Sequence, residues 1–171
     1  MGDSLSWFAV WTRSRHEHFV RDQLAMKGIE AYLPTVSRWS RWKDRKKRID
    51  WPLFPGYCFA RYVPDLRLRI LNCFGVVNIV SFNGAPAPIP DEQIGAIRQL
   101  VASGLVYESY PSLREGNVVE VIRGPLAGVV GRFVRKGANT RLVLSLDRIN
   151  LAVSVEVDGA DVRLLQSGSM H

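Results

Sequence analysis

The spacing of apolar positions changes character twice along the chain, and each change marks an element. Ser6–Thr12 (SWFAVWT) is aromatic and β-prone and predicts a first strand. Ser14 and Glu17 then stand three apart. This is the spacing of a capping box, in which each side chain satisfies an orphan backbone N–H. Phe19, Val20 and Leu24 follow at helical spacing, and Gly28 suits a left-handed C-cap, so residues 15–27 predict a helix. Residues 29–39 look extended, with a break at Pro34. A polar, basic stretch follows and reads as an exposed hairpin or loop. Pro52 to Gly56 turns the chain into a second strand over residues 57–63. Pro64-Asp65 opens a short helix ending near Phe74-Gly75, and residues 76–82 form an apolar, β-branched strand closed by Asn83-Gly84. Residues 91–103 are helical, with Ile94, Ile97 and Val101 on one face and Gly104 as the stop.

Beyond Gly104 the texture is different. Residues 105–113 have no clear period and read as a linker. Short strands are then predicted at 118–123, 129–134, 141–146, 151–157 and 162–165, separated by Gly, Pro, Asn and Asp turns. Five short strands in about 50 residues suggest a small closed barrel, because closure removes exposed edges. The fold class is therefore α+β: an N-terminal α/β sandwich (residues 1–104), a linker (105–113), a five-stranded barrel (114–166) and a frayed tail (167–171).

Charge adds a feature that hydropathy does not. The 171 residues carry 23 Lys and Arg against 16 Asp and Glu, a net of +7. Between Arg38 and Asp50 lie seven basic residues (Arg38, Arg41, Lys43, Arg45, Lys46, Lys47, Arg48) and two acidic ones, a net of +5. The rest of residues 1–113 balances at eight of each, and residues 114–171 hold eight basic and six acidic, a net of +2. So focused a patch suits a phosphate backbone or an acidic protein surface. Trp39 and Trp42 sit inside it and Trp51 just beyond, and aromatic faces can stack on unpaired bases. The plainer alternative is a solvated hairpin whose tryptophans pack on their own sheet. Trp11, Phe54, Tyr57 and Phe59 form a second dense aromatic set. Tyr57 and Phe59, two apart on a strand, face one side. Such a set is either core or an apolar patch for a partner helix.

Enzymatic chemistry finds little support. There is no P-loop, and Cys58 and Cys73 belong to no CxxC pair. His16 and His18, two apart on a helix, point to different faces, and the carboxylates are scattered. No catalytic residue, metal or cofactor is expected. Met1-Gly2-Asp3-Ser4-Leu5-Ser6 fits a bare myristoylation pattern that nothing else supports. No apolar run approaches the ~18 residues of a membrane span. With two cysteines and no signal-peptide h-region, a reducing cytoplasm is the expected location.

The order of these signals resembles the NusG family of transcription elongation factors. The residues that carry it are Trp7-Phe8-Ala9-Val10-Trp11, then Leu53-Phe54-Pro55-Gly56-Tyr57-Cys58-Phe59, then Gly75-Val76-Val77 and Asp91-Glu92. Later, Gly116-Asn117-Val118-Val119-Glu120-Val121 with Gly124-Pro125-Leu126-Ala127-Gly128 and Gly131 resembles a KOW motif. The resemblance implies a non-enzymatic protein that promotes processive elongation and antitermination. Its first domain would bind the clamp helices of RNA polymerase through Trp11, Phe54, Tyr57 and Phe59. As in specialised, RfaH-like paralogues, Arg13, Arg15 and His16 would face the non-template DNA strand. The basic segment (Arg41, Lys43, Arg45, Lys46, Lys47, Arg48) remains a nucleic-acid candidate on its charge. The SH3-like KOW barrel would recruit Rho or a small-subunit ribosomal protein, with Leu126 at the turn where relatives often carry an aromatic residue. Residues 141–157 look more like operon-specific paralogues than the general factor, and a monomer is implied. The β preference of the C-terminal Val, Ile and Leu residues favours a barrel there. The alternative function is a ribosome-associated KOW-type RNA-binding protein, against which the barrel's small net charge counts.

Overall fold

A computed structural model describes residues 4–42, 45–110, 116–146 and 149–166, with the backbone alone at residues 38, 40–42 and 136. Lys43, linker residues 111–113 and the tail 167–171 lie outside the described residues, as do the first residues of the acylation pattern. The chain divides into two compact units, Met1–Pro90 and Asp91–His171.

The first unit is built on four antiparallel strands: β1 (Ser6–Thr12), β2 (Glu30–Tyr32), β5 (Tyr57–Tyr62) and β6 (Val76–Ile79), in the order β2-β5-β1-β6. The β1–β5 register pairs Phe8 with Ala60, Val10 with Cys58 and Ser6 with Tyr62. Strand alternation puts these residues on one face, where they meet Val20 and Leu24 of α1 (Glu17–Met26) and Ile70 of α2 (Arg67–Leu71) in one core. A 3₁₀ turn at Pro64–Leu66 leads into α2. Asn83 and Gly84, both at positive φ, make the tight turn between β7 (Ser81–Phe82) and β8 (Ala85–Pro86). The strand expected over 76–82 is thus two pieces, and Val77 and Phe82 are exposed rather than buried.

Among the described residues, strands β3 (Thr35–Trp42) and β4 (Arg45–Pro52) pair with each other alone, as a two-stranded sheet. The Leu53 N–H donates to Pro34 O at 2.8 Å and closes the base of this hairpin, while Leu33 and Leu53 anchor it in the interior.

The second unit departs from expectation in two places. Residues 105–113 read as linker, yet Tyr107–Tyr110 form β9, paired antiparallel with β13 (Leu151–Glu156). Partners distant in sequence hold it there: Glu108 meets Arg141 at 2.9 Å, and the same guanidinium donates through Nε to Ser154 Oγ at 3.0 Å. These contacts tie β9, β13 and β12 (Asn139–Leu146) together. With β10 (Asn117–Val121), β11 (Val130–Lys136) and β14 (Val162–Gln166), the result is one six-stranded sheet ordered β14-β10-β11-β12-β13-β9. The small β domain expected after the linker is present, with a sixth strand, and among the described residues its sheet is open. Helix α3 (Asp91–Ala102), read from sequence as the end of the first domain, groups with this unit and lies along β12. Gln99 Nε2 donates to the carbonyls of Pro125 and Ala127, at 3.1 and 3.0 Å.

Gly131 marks the tightest approach in this sheet. A Cβ built there would lie 2.8 Å from Val143 O and 2.9 Å from side-chain carbons of Leu142 and Leu144. Gly131→Ala is expected to destabilise the protein by about 1–3 kcal/mol, read as a lower urea midpoint by far-UV circular dichroism. A wild-type midpoint would show that the approach can relax.

Cys58 is fully buried between β1 and α1, and burial pushes its thiol up to about 12 despite the opposing field of Arg21. A thiol whose folded pKa is raised contributes stability fully below its unfolded value and loses it as pH climbs through the folded one. Stability from this group should therefore hold to about pH 8.5 and decline toward pH 12. Because the thiolate is the reactive form, Cys58 should resist a disulfide reagent at pH 8 until urea unfolds the chain. Labelling at the free-thiol rate in the native protein would contradict this.

Candidate functional site

The second face of the four-stranded sheet carries the aromatic set. Trp11 lies directly opposite Tyr57, Ala9 opposite Phe59, and Trp7 opposite Arg61. Phe54, on the turn before β5, meets Phe59 edge-to-face at 6.1 Å. Trp11, Phe54, Tyr57 and Phe59 are therefore brought together, as expected, but they are not equally accessible. Phe54 and Phe59 are buried, whereas Trp11 is 50% exposed and Tyr57 is half-buried. The Trp11–Tyr57 end of the face presents aromatic surface, and Tyr32, opposite Phe59 on β2, is half-buried on the same face.

That end is held by the segment joining β1 to α1. Thr12 N–H donates to Gly56 O and Arg13 N–H to Gly75 O, both at 2.8 Å. Both glycines sit at positive φ, near +90°, a region that L side chains enter only at a cost. Gly75 also lies so close to His16 that a Cβ would fall 3.0 Å from the His16 Cβ. The expected capping box does not form. Arg15 has φ 66°, α1 starts at Glu17, and His16 occupies the N-cap without a side-chain cap. The Glu17 carboxylate turns away from Ser14 and, buried, accepts the Gly56 N–H at 2.9 Å. A partner 39 residues away in sequence wins over a local one because the part-buried Gly56 amide would otherwise lose its acceptor.

Arg13 and Arg15 are exposed beside this junction, and His16 shares it, its Nδ1 2.9 Å from Ser14 O. The sequence reading missed two neighbours. Phe19, assigned to the inward helical face, is half exposed and stands edge-to-face with Phe74 at 5.8 Å, while His16 stacks near Phe74 at 5.7 Å. Gln23 fixes Phe74 from both sides: its Nε2 donates to Phe74 O at 2.7 Å, and its Oε1 accepts the Phe74 N–H at 2.9 Å. The available signal was that Phe19 lies about 100° round the helix from Val20, on the side away from Leu24, and so at the margin of the buried face.

The basic segment forms the β3–β4 hairpin. Its register pairs Trp39 with Arg48, Ser37 with Asp50 and Val36 with Trp51. Arg45, Lys46, Lys47 and Arg48 are exposed, as are Trp39 (71%) and Trp51 (51%). Trp39 and Trp51 therefore do not bury themselves on their own sheet. Ser37 Oγ donates to Asp50 Oδ1 at 2.5 Å, which engages that carboxylate within the hairpin. Arg41 contributes its backbone to β3, and Lys43 falls outside the described residues.

The KOW-like turn, Gly124 to Gly128, is closed by Ala127 N–H to Gly124 O and Gly128 N–H to Val121 O, with both glycines at positive φ. Leu126, expected as a partner contact, is buried beneath this turn and presents no surface. Among the described residues no three His, Cys, Asp or Glu side chains cluster as a metal site would require, and no helix is long and apolar enough to cross a membrane.

An antiparallel sheet backed by α1 and α2, a projecting hairpin and a small β domain with a KOW-like turn define a two-part, NusG-like architecture. The family model for NusG, "Transcription termination factor nusG", matches residues 5–98. The chain belongs to the NusG family. It is 26% identical over 167 residues to the transcription termination/antitermination protein NusG of Streptococcus pyogenes serotype M1, covering 89% of this chain and 92% of that one. It is also 26% identical over 143 residues to the NusG of Helicobacter pylori, covering 72% and 77%. The solved structure described as "Domain interaction in Thermotoga maritima NusG" shares the fold with a TM-score of 0.55 at 18% identity, over 95% of this chain and 98% of that one.

Glu17→Ala should destabilise the protein by about 1–3 kcal/mol by orphaning the Gly56 N–H, whereas Glu17→Gln, which keeps an acceptor, should recover most of the loss. Urea titration of both variants checks this. Equal losses would mean that the negative charge, not the hydrogen bond, is what matters.

Proposed function

We propose that the chain is a transcription termination/antitermination factor that rides on RNA polymerase, with the Trp11–Tyr57 end of the aromatic face as its contact to the clamp helices. The single observation that carries this reading is the direct cross-strand pairing of the exposed Trp11 with the half-buried Tyr57 at one end of the aromatic face. Large exposed aromatics on a rigid sheet lose little conformational entropy on binding and serve well as anchors. Phe54 and Phe59 support them from beneath. Arg13, Arg15 and His16, with Phe19 and Phe74 beside them, form the surface that meets the non-template strand. The hairpin carries Arg45, Lys46, Lys47 and Arg48 toward nucleic acid. The second unit recruits a further partner, either Rho or a small-subunit ribosomal protein, and the protein acts as a monomer in the cytoplasm.

No bond is made or broken in this role. A ligand that binds the elongating polymerase better than the paused one shifts the population toward elongation by its differential affinity. The resemblance of residues 141–157 to operon-specific paralogues favours antitermination as the outcome.

The test is binding to purified bacterial RNA polymerase core, followed by single-round transcription through a terminator. Trp11→Ala combined with Tyr57→Ala should weaken polymerase binding at least tenfold while leaving the circular dichroism spectrum unchanged, and the wild type should raise read-through. Wild-type binding that survives in the folded double variant would remove the aromatic end from the interface. Reduced read-through would make the protein a termination factor.

A further inference from the structure

The second unit has a sheet face whose sequence pattern and burial disagree. The register sets Arg141, Val143 and Ser145 of β12 opposite Glu156, Ser154 and Ala152 of β13, so these six residues share one face. The other face of the same two strands is apolar, with Leu142, Leu144, Leu146, Val153 and Val155 all buried. Such alternation, apolar on one side and small or polar on the other, is the pattern of antiparallel strands with one face to the core and one to water. Yet Val143, Ala152 and Ser154 are buried, and Ser145 Oγ is buried with no hydrogen-bond partner among the described residues. A face patterned for water is covered.

Residues 91–110 supply the cover. Helix α3 lies along β12 with Ile94, Ile97 and Leu100 buried, and the four-residue β9 runs along the edge of β13. The polar fastenings are light. Gln99 reaches the carbonyls of Pro125 and Ala127. Glu108 reaches Arg141 but is itself half-exposed, and an ion pair so placed holds weakly. Between α3 and β9 the chain meets water, with Val106 almost fully exposed. Gly95 sits inside α3, where a side chain would meet nothing within 4 Å. Glycine weakens a helix interior, and no close approach requires it here. The inward apolar face of the sheet, in contrast, is complete without any of these residues.

We infer that residues 91–110 are a strap that opens and closes on the second unit as one piece. Closed, it covers the outer face of β12 and β13 and pairs the edge of β13. Open, it lets water reach the Ser145 and Ser154 hydroxyls and frees the backbone N–H and C=O groups of the β13 edge, which can then pair with another strand. The remaining five strands stay folded on their inward apolar face. The strap thus sets how often this face and edge are open to another chain. A helix with a needless glycine over an unpaired hydroxyl is what keeps the closed state from being permanent.

Hydrogen–deuterium exchange of the full chain, read by mass spectrometry, reports such an opening. Peptides of α3 and β9 should show matching protection factors, about tenfold or more below those of β10 to β12. Gly95→Ala should raise the protection of both α3 and β9 by about two- to fivefold. Glu108→Ala should lower both by about twofold or more, with the circular dichroism spectrum unchanged. A change confined to the element that carries the substitution would mean two independent pieces, which overturns the single strap. Protection of residues 91–110 equal to that of β10 to β12 would make them a permanent part of the unit, which overturns opening altogether. No polymerase or other partner is present, so either failure leaves the proposed recruitment by the second unit untouched.

Discussion

A buried carboxylate that accepts one backbone N–H holds the first unit in its working arrangement. Glu17 begins α1, Gly56 belongs to the turn that launches β5, and the hydrogen bond between them fixes the helix start against the sheet. Thr12 N–H to Gly56 O and Arg13 N–H to Gly75 O complete the stitching. A charged group taken out of water is tolerable only when it is well hydrogen-bonded, so the contact works in both directions: it satisfies the amide and licenses the burial. Trp11 and Tyr57 flank this junction, one just before it on β1 and the other just after Gly56. Their shared orientation is therefore a consequence of polar bonding at the sheet's end as much as of hydrophobic packing in its middle. Among the described residues the buried polar or charged side chains are Thr12, Glu17 and Ser154. Two belong to this junction, and the third receives the Arg141 hydrogen bond that helps bind β9 into the second sheet.

Most of the fold was legible in the sequence because its elements have clear periods and punctuation. SWFAVWT, the Asn83-Gly84 turn, α3 and the C-terminal strands all fall within a few residues of where periodicity and turn chemistry put them. The misreadings share one physical origin, a distant partner outbidding a local one. Ser14 and Glu17 have the spacing of a capping box, but Glu17 finds Gly56. Residues 107–110 have no convincing alternation, yet Glu108 reaches Arg141 and a strand results.

The site was legible to a lesser degree. Sequence spacing shows which residues share a face but not how deeply each is covered, so Phe54, Phe59 and Leu126 looked equivalent to Trp11 and Tyr57 until burial separated them. The reverse error occurred at Phe19, where apolar character suggested core and the ring is half exposed beside Phe74. The basic hairpin was legible in charge and in extent. The division of its cations between two faces required the register, because a shift of one residue exchanges every side chain between faces.

The hairpin also stands apart from the core it projects from. Its strands pair with nothing else, and the residues that anchor it, Leu33, Leu53 and the Pro34–Leu53 hydrogen bond, lie at its base. Exposed substitutions away from such anchors change stability by about 0.5 kcal/mol or less. Substitutions on the outer rungs therefore carry almost no folding penalty, while the sheet's core positions do not share that freedom. Through that independence the hairpin can change its chemistry without disturbing the sheet it stands on, so a single scaffold can carry many different ribbons.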